Sequence, residues 1–465
     1  MSAALSPNGG PTGERQRLSD RFSPRLSVND GLNRRLVSYQ GNRDVPGFRW
    51  LKYKEGFSRQ LVADFLAAHD PDDVLDPFAG IGTAPLVAAG SGKAGTGIEI
   101  MPVGVLAGNA IAEASNGLCP DSFARAGRKM VQCVRGRRCD RDGFEFPHVR
   151  ITERAFPAET EEEIATARAF LASVDNEAHR ALLDLACVSV LEDASYTRKD
   201  GQYLRWDSRS GRPLRSGVHK GDVARFSDAL EDRIAEIVAD IGPLKDEYGE
   251  GRPDLRVGSC LELLRQLPAA SFDMVITSPP YANRYDYTRT YALELAWMGY
   301  DRDGFSDLRQ SMLSATVENR AKTEWLEAQY ADASDTLAHA AEMHAAQGAL
   351  HEALAILREH EGELSNRHVI RLVDSYFLEM AVVVAELGRV VRPGGTVIMV
   401  NDNVQYHGEE LPVDFILSDF AEQSGFECEA IWALARGKGN SSQQMARFGR
   451  KELRKCVYRW RRSSA

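Results

Sequence analysis

Seven short apolar runs, largely β-branched, alternate with helix-patterned stretches along this chain. That alternation restricts the fold to an α/β architecture with a mainly parallel sheet. The runs fall at 74–78, 94–100, 255–259, 274–277, 396–401, 427–435 and 455–461. The last two follow a helix-like stretch at 413–425 and are expected to close the sheet as an antiparallel pair.

Two intervals are too long for ordinary connections between elements and read as mostly helical insertions. The first, 115–250, has helical periodicity at 160–174, 178–191 and 222–241, with a basic loop before the last. The second, 301–375, is rich in Ala and Glu over 328–358 and reads equally well as scaffolding. Residues 1–32, rich in Ser, Pro, Gly and Arg, are expected to be a flexible tail. The sheet domain is then divided among 33–114, 251–300 and 376–465.

Composition removes several classes of function. The 465 residues carry 57 Lys plus Arg against 67 Asp plus Glu, a net charge of −10, which excludes holding nucleic acid by bulk positive charge. A local basic groove stays open. The 7 cysteines include no C-x-x-C pair, so neither a disulfide framework nor a zinc site is expected. The ten histidines form no H-E-x-x-H pair, and no metal is expected. No run reaches the ~18 apolar residues of a spanning helix. A cytoplasmic protein in a reducing compartment is the expectation.

The first chemical signal is Asp76-Pro77-Phe78-Ala79-Gly80-Ile81-Gly82-Thr83, an apolar strand ending in an acid and a glycine loop before a small-residue helix. Ligands of open α/β sheets bind beyond the carboxyl ends of the strands, and glycines let backbone amides approach them. The negative charge of Asp76 suits an ammonium or sulfonium ligand better than a pyrophosphate. The nearby Gly90-Ser91-Gly92-Lys93-Ala94 imitates a phosphate loop, but Val87 replaces its first glycine and Ala94 its metal-binding hydroxyl. Glu99, followed by Ile100, ends the second run about twenty residues on, where an acid can bond both hydroxyls of a ribose.

The second signal is Thr277-Ser278-Pro279-Pro280-Tyr281, again an apolar strand running into an unusual loop. Two prolines remove two backbone donors, leaving carbonyls and the Ser278 hydroxyl as acceptors beside the flat face of Tyr281. Such a loop suits a planar amine, with N–H groups accepted and the ring stacked. A Pro-Pro-Tyr interaction peptide would instead sit in an exposed, polar setting.

Together these motifs resemble the AdoMet-binding and catalytic motifs of amino-directed DNA methyltransferases, and the Ser-Pro-Pro-Tyr form is similar to the N4-cytosine branch. The resemblance extends to Tyr53-Lys54-Glu55-Gly56-Phe57-Ser58, Tyr285-Asp286-Tyr287-Thr288-Arg289 and Gly437-Lys438-Gly439-Asn440-Ser441. It implies a Rossmann-like class I methyltransferase sheet with S-adenosyl-L-methionine as cofactor. Phe57, Ser58, Asp76 to Gly80, Gly82, Thr83, Glu99 and Ile100 would bind that cofactor, and Ser278 to Tyr281 would be catalytic. Where such enzymes often carry Gly-Asp after the third strand, this chain has Gly258-Ser259-Cys260, so Ser259 and Cys260 are expected beside the adenine. The resemblance also implies a restriction or defence setting, with a separately encoded partner.

Double-stranded DNA is the expected substrate. Residues 196–220 hold seven Lys or Arg against two Asp, with Tyr203 and Trp206 among them, and 436–462 hold ten against one Glu. From these, Arg198, Lys199, Arg205, Trp206, Lys438 and Asn440 are candidate DNA contacts, although exposed basic loops are also ordinary on soluble proteins. N6-adenine methylation, RNA amino-methylation and a silent DNA-binding subunit are the rival readings. No Pro-Cys dipeptide is present, so the nucleophile setting of cytosine-C5 enzymes is missing.

Overall fold

The structure, a computed structural model, describes residues 13–138, 141–200, 203–207, 221–249, 251–435, 438–439 and 452–464. Its centre is a sheet of eight strands, numbered here along the chain: β1 (Leu26–Val28), β2 (Asp73–Asp76), β3 (Ala94–Glu99), β4 (Asp254–Val257), β5 (Phe272–Thr277), β6 (Val391–Asp402), β7 (Phe426–Ala433) and β8 (Lys455–Arg462). Their order across the sheet is β1-β7-β8-β6-β5-β2-β3-β4. All neighbours are parallel except β8, which runs antiparallel to both β7 and β6. The chain lays β3 and β4 to one side of β2 and then returns to place β5 on its other side. The β2–β5 boundary is therefore where ligand sites of open sheets form.

Alternation along the strands builds two separate cores. Val74, Met274, Ile276, Ile398 and Val400 face one core, while Leu75, Val275, Val397 and Met399 face the other. Both faces are covered, as parallel strands require. The first core is shared with helices of the 115–250 interval, Glu177–Val190 and Phe226–Tyr248, through residues such as Leu183 and Ile234. The second is shared with the 301–375 interval through Tyr330, Leu350 and Leu354. Neither interval stands apart from the sheet. The Ala-rich stretch is two helices, Ser334–Ala346 and Gly348–Glu359, because the buried Gln347 leaves the helix to accept from Ala349 N and donate to Asp419.

Three expectations are corrected. The sheet has eight strands rather than seven, because three-residue β1 is too short to show in the sequence pattern. From Gly13 onward the expected tail is ordered: helix Gly13–Phe22 buries Leu18 and Phe22, and Arg15 pairs with Glu352 at 2.7 Å and Glu409 at 2.8 Å. Two apolar anchors are too sparse a signal for periodicity to detect. Cys133 is disulfide-bonded, while Cys119, Cys187, Cys260, Cys428 and Cys456 are free thiols. Among the described residues, no helix is long and apolar enough to cross a membrane.

Candidate active site

The carboxyl ends of β2, β3 and β5 converge on the switch point, and two cavities open there. Helix Thr83–Gly90 begins directly after the glycine loop, which turns tightly because Gly80 adopts φ +58°. A Cβ at Gly80 would lie 3.1 Å from the Tyr53 ring, and one at Gly104 would lie 2.3 Å from the Gly80 carbonyl. The loop is thus packed from both sides with no room for a side chain.

The first cavity is a partly open cleft of about 610 Å³, counting the space that opens to solvent. Pro77, Phe78, Gly80, Glu99, Ile100, Ser259, Cys260, Ser278 and Pro280 line it, which brings together residues expected from four separate stretches of sequence. Glu55, Gly56, Tyr287, Met312 and Leu313 complete the wall. Each Glu99 oxygen accepts one backbone amide, from Gly80 at 2.6 Å and Met101 at 2.7 Å, and keeps acceptor capacity for a ligand. Burial pushes this carboxyl up to about 8 even against those two bonds.

Asp76 does not line this cavity. It accepts from Thr277 Oγ1 at 2.6 Å and from the Phe78 amide at 3.0 Å, tying the ends of β2 and β5 together. Burial pushes it up to about 7, opposed by those bonds. Ala79 and Gly82 shape the turn, the Ala79 amide donating to Ile98 O and the Gly82 amide to Ala79 O. Phe57 and Thr83 line a separate cleft, and Ser58 caps helix Arg59–His69 by accepting from Leu61 N. Ser259 donates to the Ser311 carbonyl at 2.8 Å. That bond holds Met312 and Leu313 of the second insertion against the cavity, a contribution with no motif to announce it.

The second cavity, about 1310 Å³ and open to solvent, shares Ser278, Glu55, Gly56 and Tyr287 with the first. Pro279, Tyr281, Asn283, Asp402 and Lys455 line it as well. Tyr281 Oη lies 3.3 Å from Ser278 Oγ and accepts from Lys455 Nζ at 2.9 Å, while Lys455 pairs with Asp402 at 3.0 Å. The ammonium is 5.0 Å from the Tyr281 ring centre, which with the shorter hydroxyl distance places it at the edge of the ring rather than over its face. Burial pushes the Tyr281 phenol up. Burial also acts to lower Lys455, but Tyr281 and Asp402 outweigh it and hold the ammonium charged.

Within the basic loop of the first insertion, Thr197–Asp200 pairs antiparallel with Tyr203–Trp206 beside this cavity, and residues 208–220 lie outside the described residues. Arg198 is exposed, as is Tyr203, while Arg205 and Trp206 are half-buried. Lys199 differs from expectation: its ammonium is buried against Glu294, 4.4 Å from the Tyr291 ring centre. Strand alternation turned it inward, away from any polyanion. Lys54, on the cavity wall, donates to the Lys199 carbonyl at 2.8 Å. Lys438 belongs to a two-residue strand paired with Glu452–Leu453, and Asn440 lies outside the described residues.

An α/β sheet carries a glycine-loop cavity joined to an open, aromatic-lined one, an arrangement with room for two molecules side by side. Comparison with known proteins names the class. The chain is 39% identical to the type II methyltransferase M.AvaI of Anabaena variabilis over 469 residues, covering 96% of this chain and 92% of that protein. It is 36% identical to the type II methyltransferase M.BsoBI of Geobacillus stearothermophilus over 492 residues, covering 97% and 92%. The chain belongs to the type II methyltransferases. No family model and no solved structure matches it.

Proposed function

We propose that this chain transfers the methyl group of AdoMet to the exocyclic N4 of a cytosine flipped out of a specific duplex DNA sequence, on a Rossmann-like class I methyltransferase sheet. The observation that carries the reading is that Ser278 lines both cavities, so the Ser278-Pro279-Pro280-Tyr281 loop is the wall through which donor and acceptor meet. The relatives' shared name, type II methyltransferase, supports it.

The residues present fit AdoMet. Ile98, Ile100, Met312 and Leu313 make apolar walls for a planar base, and Glu99 retains lone pairs for a ribose diol. Glu55 places a second carboxylate on the same wall, suited to a ligand carrying sulfonium and ammonium charges. When bound, AdoMet supplies an electrophilic methyl group.

The chain's own work is positioning. Ser278 Oγ and the Pro279 carbonyl accept from the amine, favouring the geometry in which its lone pair is available. The two prolines offer no competing N–H at the loop. Tyr281 stacks the base, returning part of the few kcal/mol that unstacking costs. Transfer needs no general base, because the amine sheds its proton after the new bond forms. Arg198 and the exposed face of the hairpin Thr197–Asp200/Tyr203–Trp206 supply duplex phosphate contacts.

The test is to incubate the purified protein with unmethylated DNA and AdoMet, digest to nucleosides and identify the new base by mass spectrometry. N4-methylcytosine is expected. N6-methyladenine would keep the transfer and remove the base assignment. A methylated base in RNA alone would move the substrate.

A further inference from the structure

The second cavity contains a charged group that neither the loop motif nor methyl transfer requires. Lys455 opens β8 and Asp402 closes β6, and the two are directly opposed in the antiparallel register. Asp402 is 7% exposed, and the Lys455 side chain 14%. Placing an ion pair this deep is costly, and an apolar pair would serve the sheet as well. An ammonium has three donors, and every one wants an acceptor once it is buried. Tyr281 Oη takes one, Asp402 faces the ammonium as an ion-pair partner at 3.0 Å with its Oδ1 accepting no hydrogen bond, and Lys455 itself lines the cavity. At least one N–H therefore remains for whatever enters.

The position of that donor is specific. Ser278 and Lys455 both lie within reach of a single atom, Tyr281 Oη, at 3.3 Å and 2.9 Å. A base stacked on the Tyr281 ring would therefore have an acceptor hydroxyl and a cationic donor near the same part of the cavity wall. Cytosine presents an amine, a ring nitrogen and a carbonyl along that edge. Adenine presents an amine and a ring nitrogen but a C–H where cytosine has the carbonyl. A buried ammonium facing a C–H leaves that donor unsatisfied, whereas facing a carbonyl it gains a further hydrogen bond.

We propose that Lys455, aligned by Asp402 and Tyr281, selects the target base by donating its remaining N–H to the O2 carbonyl of the flipped cytosine while Ser278 accepts from N4. The proposal rests on the cytosine reading above. It makes Lys455 a residue that touches substrate and Asp402 a positioning residue that aims it.

The experiment compares two duplexes carrying the site mapped from the wild-type product. One has the ordinary target cytosine. In the other, that cytosine is replaced by a 2-aminopyridine C-nucleoside, which keeps the amine and adjacent ring nitrogen but has C–H in place of the carbonyl. Wild-type protein should lose about 10- to 100-fold in kcat/KM on the analogue. Lys455→Met should lose a similar factor on the ordinary duplex, with AdoMet affinity by calorimetry unchanged. Combining variant and analogue should cost no more than either alone, because both remove one hydrogen bond. Asp402→Asn should lose less on the ordinary duplex while retaining some penalty on the analogue. Equal wild-type rates on the two duplexes, or losses that multiply, would overturn the proposal. If Lys455→Met does not fold, the wild-type comparison still decides. N6-methyladenine as the wild-type product overturns the cytosine reading and this proposal together. N4-methylcytosine with equal rates overturns this proposal alone.

Discussion

The two cavities are walled by the same loop but assembled in different ways. The first is built mainly from strand ends and the turns that follow them: Pro77 to Gly80 after β2, Glu99 and Ile100 after β3, Ser259 after β4 and Ser278 after β5. Each contribution is a short motif at the carboxyl end of a strand. The second is built from side chains brought in by unrelated segments: Tyr39 and Lys54 from the connection between β1 and β2, Asp402 from β6 and Lys455 from β8. A motif-made site tolerates little change and is tied to the fold. A side-chain-made site can be re-specified without disturbing the sheet.

Five substitutions break or sharpen that contrast. The largest effect is expected at Lys199→Met, because its loss leaves the Glu294 carboxylate buried without its cation. Removing one partner of such a pair costs about 3–5 kcal/mol, read from urea denaturation midpoints. An unchanged midpoint would mean that the hairpin is not anchored through this pair and would return Lys199 to the DNA-facing set. Arg198→Ala on the same hairpin should leave stability alone and lower the salt dependence of DNA binding.

Tyr281→Ala comes next, on the side-chain-made cavity. Loss of one stacking ring is worth about 1–3 kcal/mol, so kcat/KM should fall about 10- to 100-fold while AdoMet affinity holds. A matching loss of AdoMet affinity would show that the two cavities are not separable.

Glu99→Gln probes the motif-made cavity. Burial raises this carboxyl to about 8, and a ligand whose hydroxyls donate to it favours the ionised form, so the complex binds fewer protons than the free protein. AdoMet should therefore bind more tightly as pH rises from about 6 towards 8, by up to about tenfold per unit below the shifted value. The variant should bind about tenfold more weakly at pH 8 and show a flat profile. A wild-type dissociation constant that does not vary over this range would remove Glu99 from the binding equilibrium. In the free protein the same raised value works against folding as pH climbs, since the folded state holds its proton longer than the unfolded one.

Ser259→Ala should have the smallest effect, under about 1 kcal/mol on AdoMet binding, because the hydroxyl is donated to the Ser311 carbonyl. A larger loss would show that the motif-made cavity also depends on a distant partner, through Met312 and Leu313. No change at all would mean that Ser259 neither contacts the ligand nor sets that wall.

Legibility followed the same division. All seven expected strands form, within about five residues of their anticipated ends, because short apolar runs leave a strong one-dimensional trace, even at the largely unburied edge strand β4. The helices at Ala158–Ala172, Glu177–Val190 and Val413–Gln423 were equally visible in their periodicity. The helix Gly13–Phe22 was not, since its two apolar residues find partners only in a distant helix, where Phe22 lies 5.9 Å from Phe415. Lys199 and Lys455 both read as members of basic stretches. Charge counting could not distinguish either from its exposed neighbours, because the side of a strand that faces inward is set by pairing register.

By itself, the sequence determined the sheet, its carboxyl-end loops and the two chemical motifs. Those depend on neighbours in the chain: a strand needs its own residues to alternate or stay apolar, and a glycine turn needs its own glycines. Only the tertiary structure decided that Asp402 and Lys455 oppose each other, that Thr277 locks Asp76, and that Ser311–Leu313 closes the first cavity. These are contacts between residues dozens to hundreds of positions apart. Their energies depend on burial and distance, which are properties of the folded chain and have no local sequence signal.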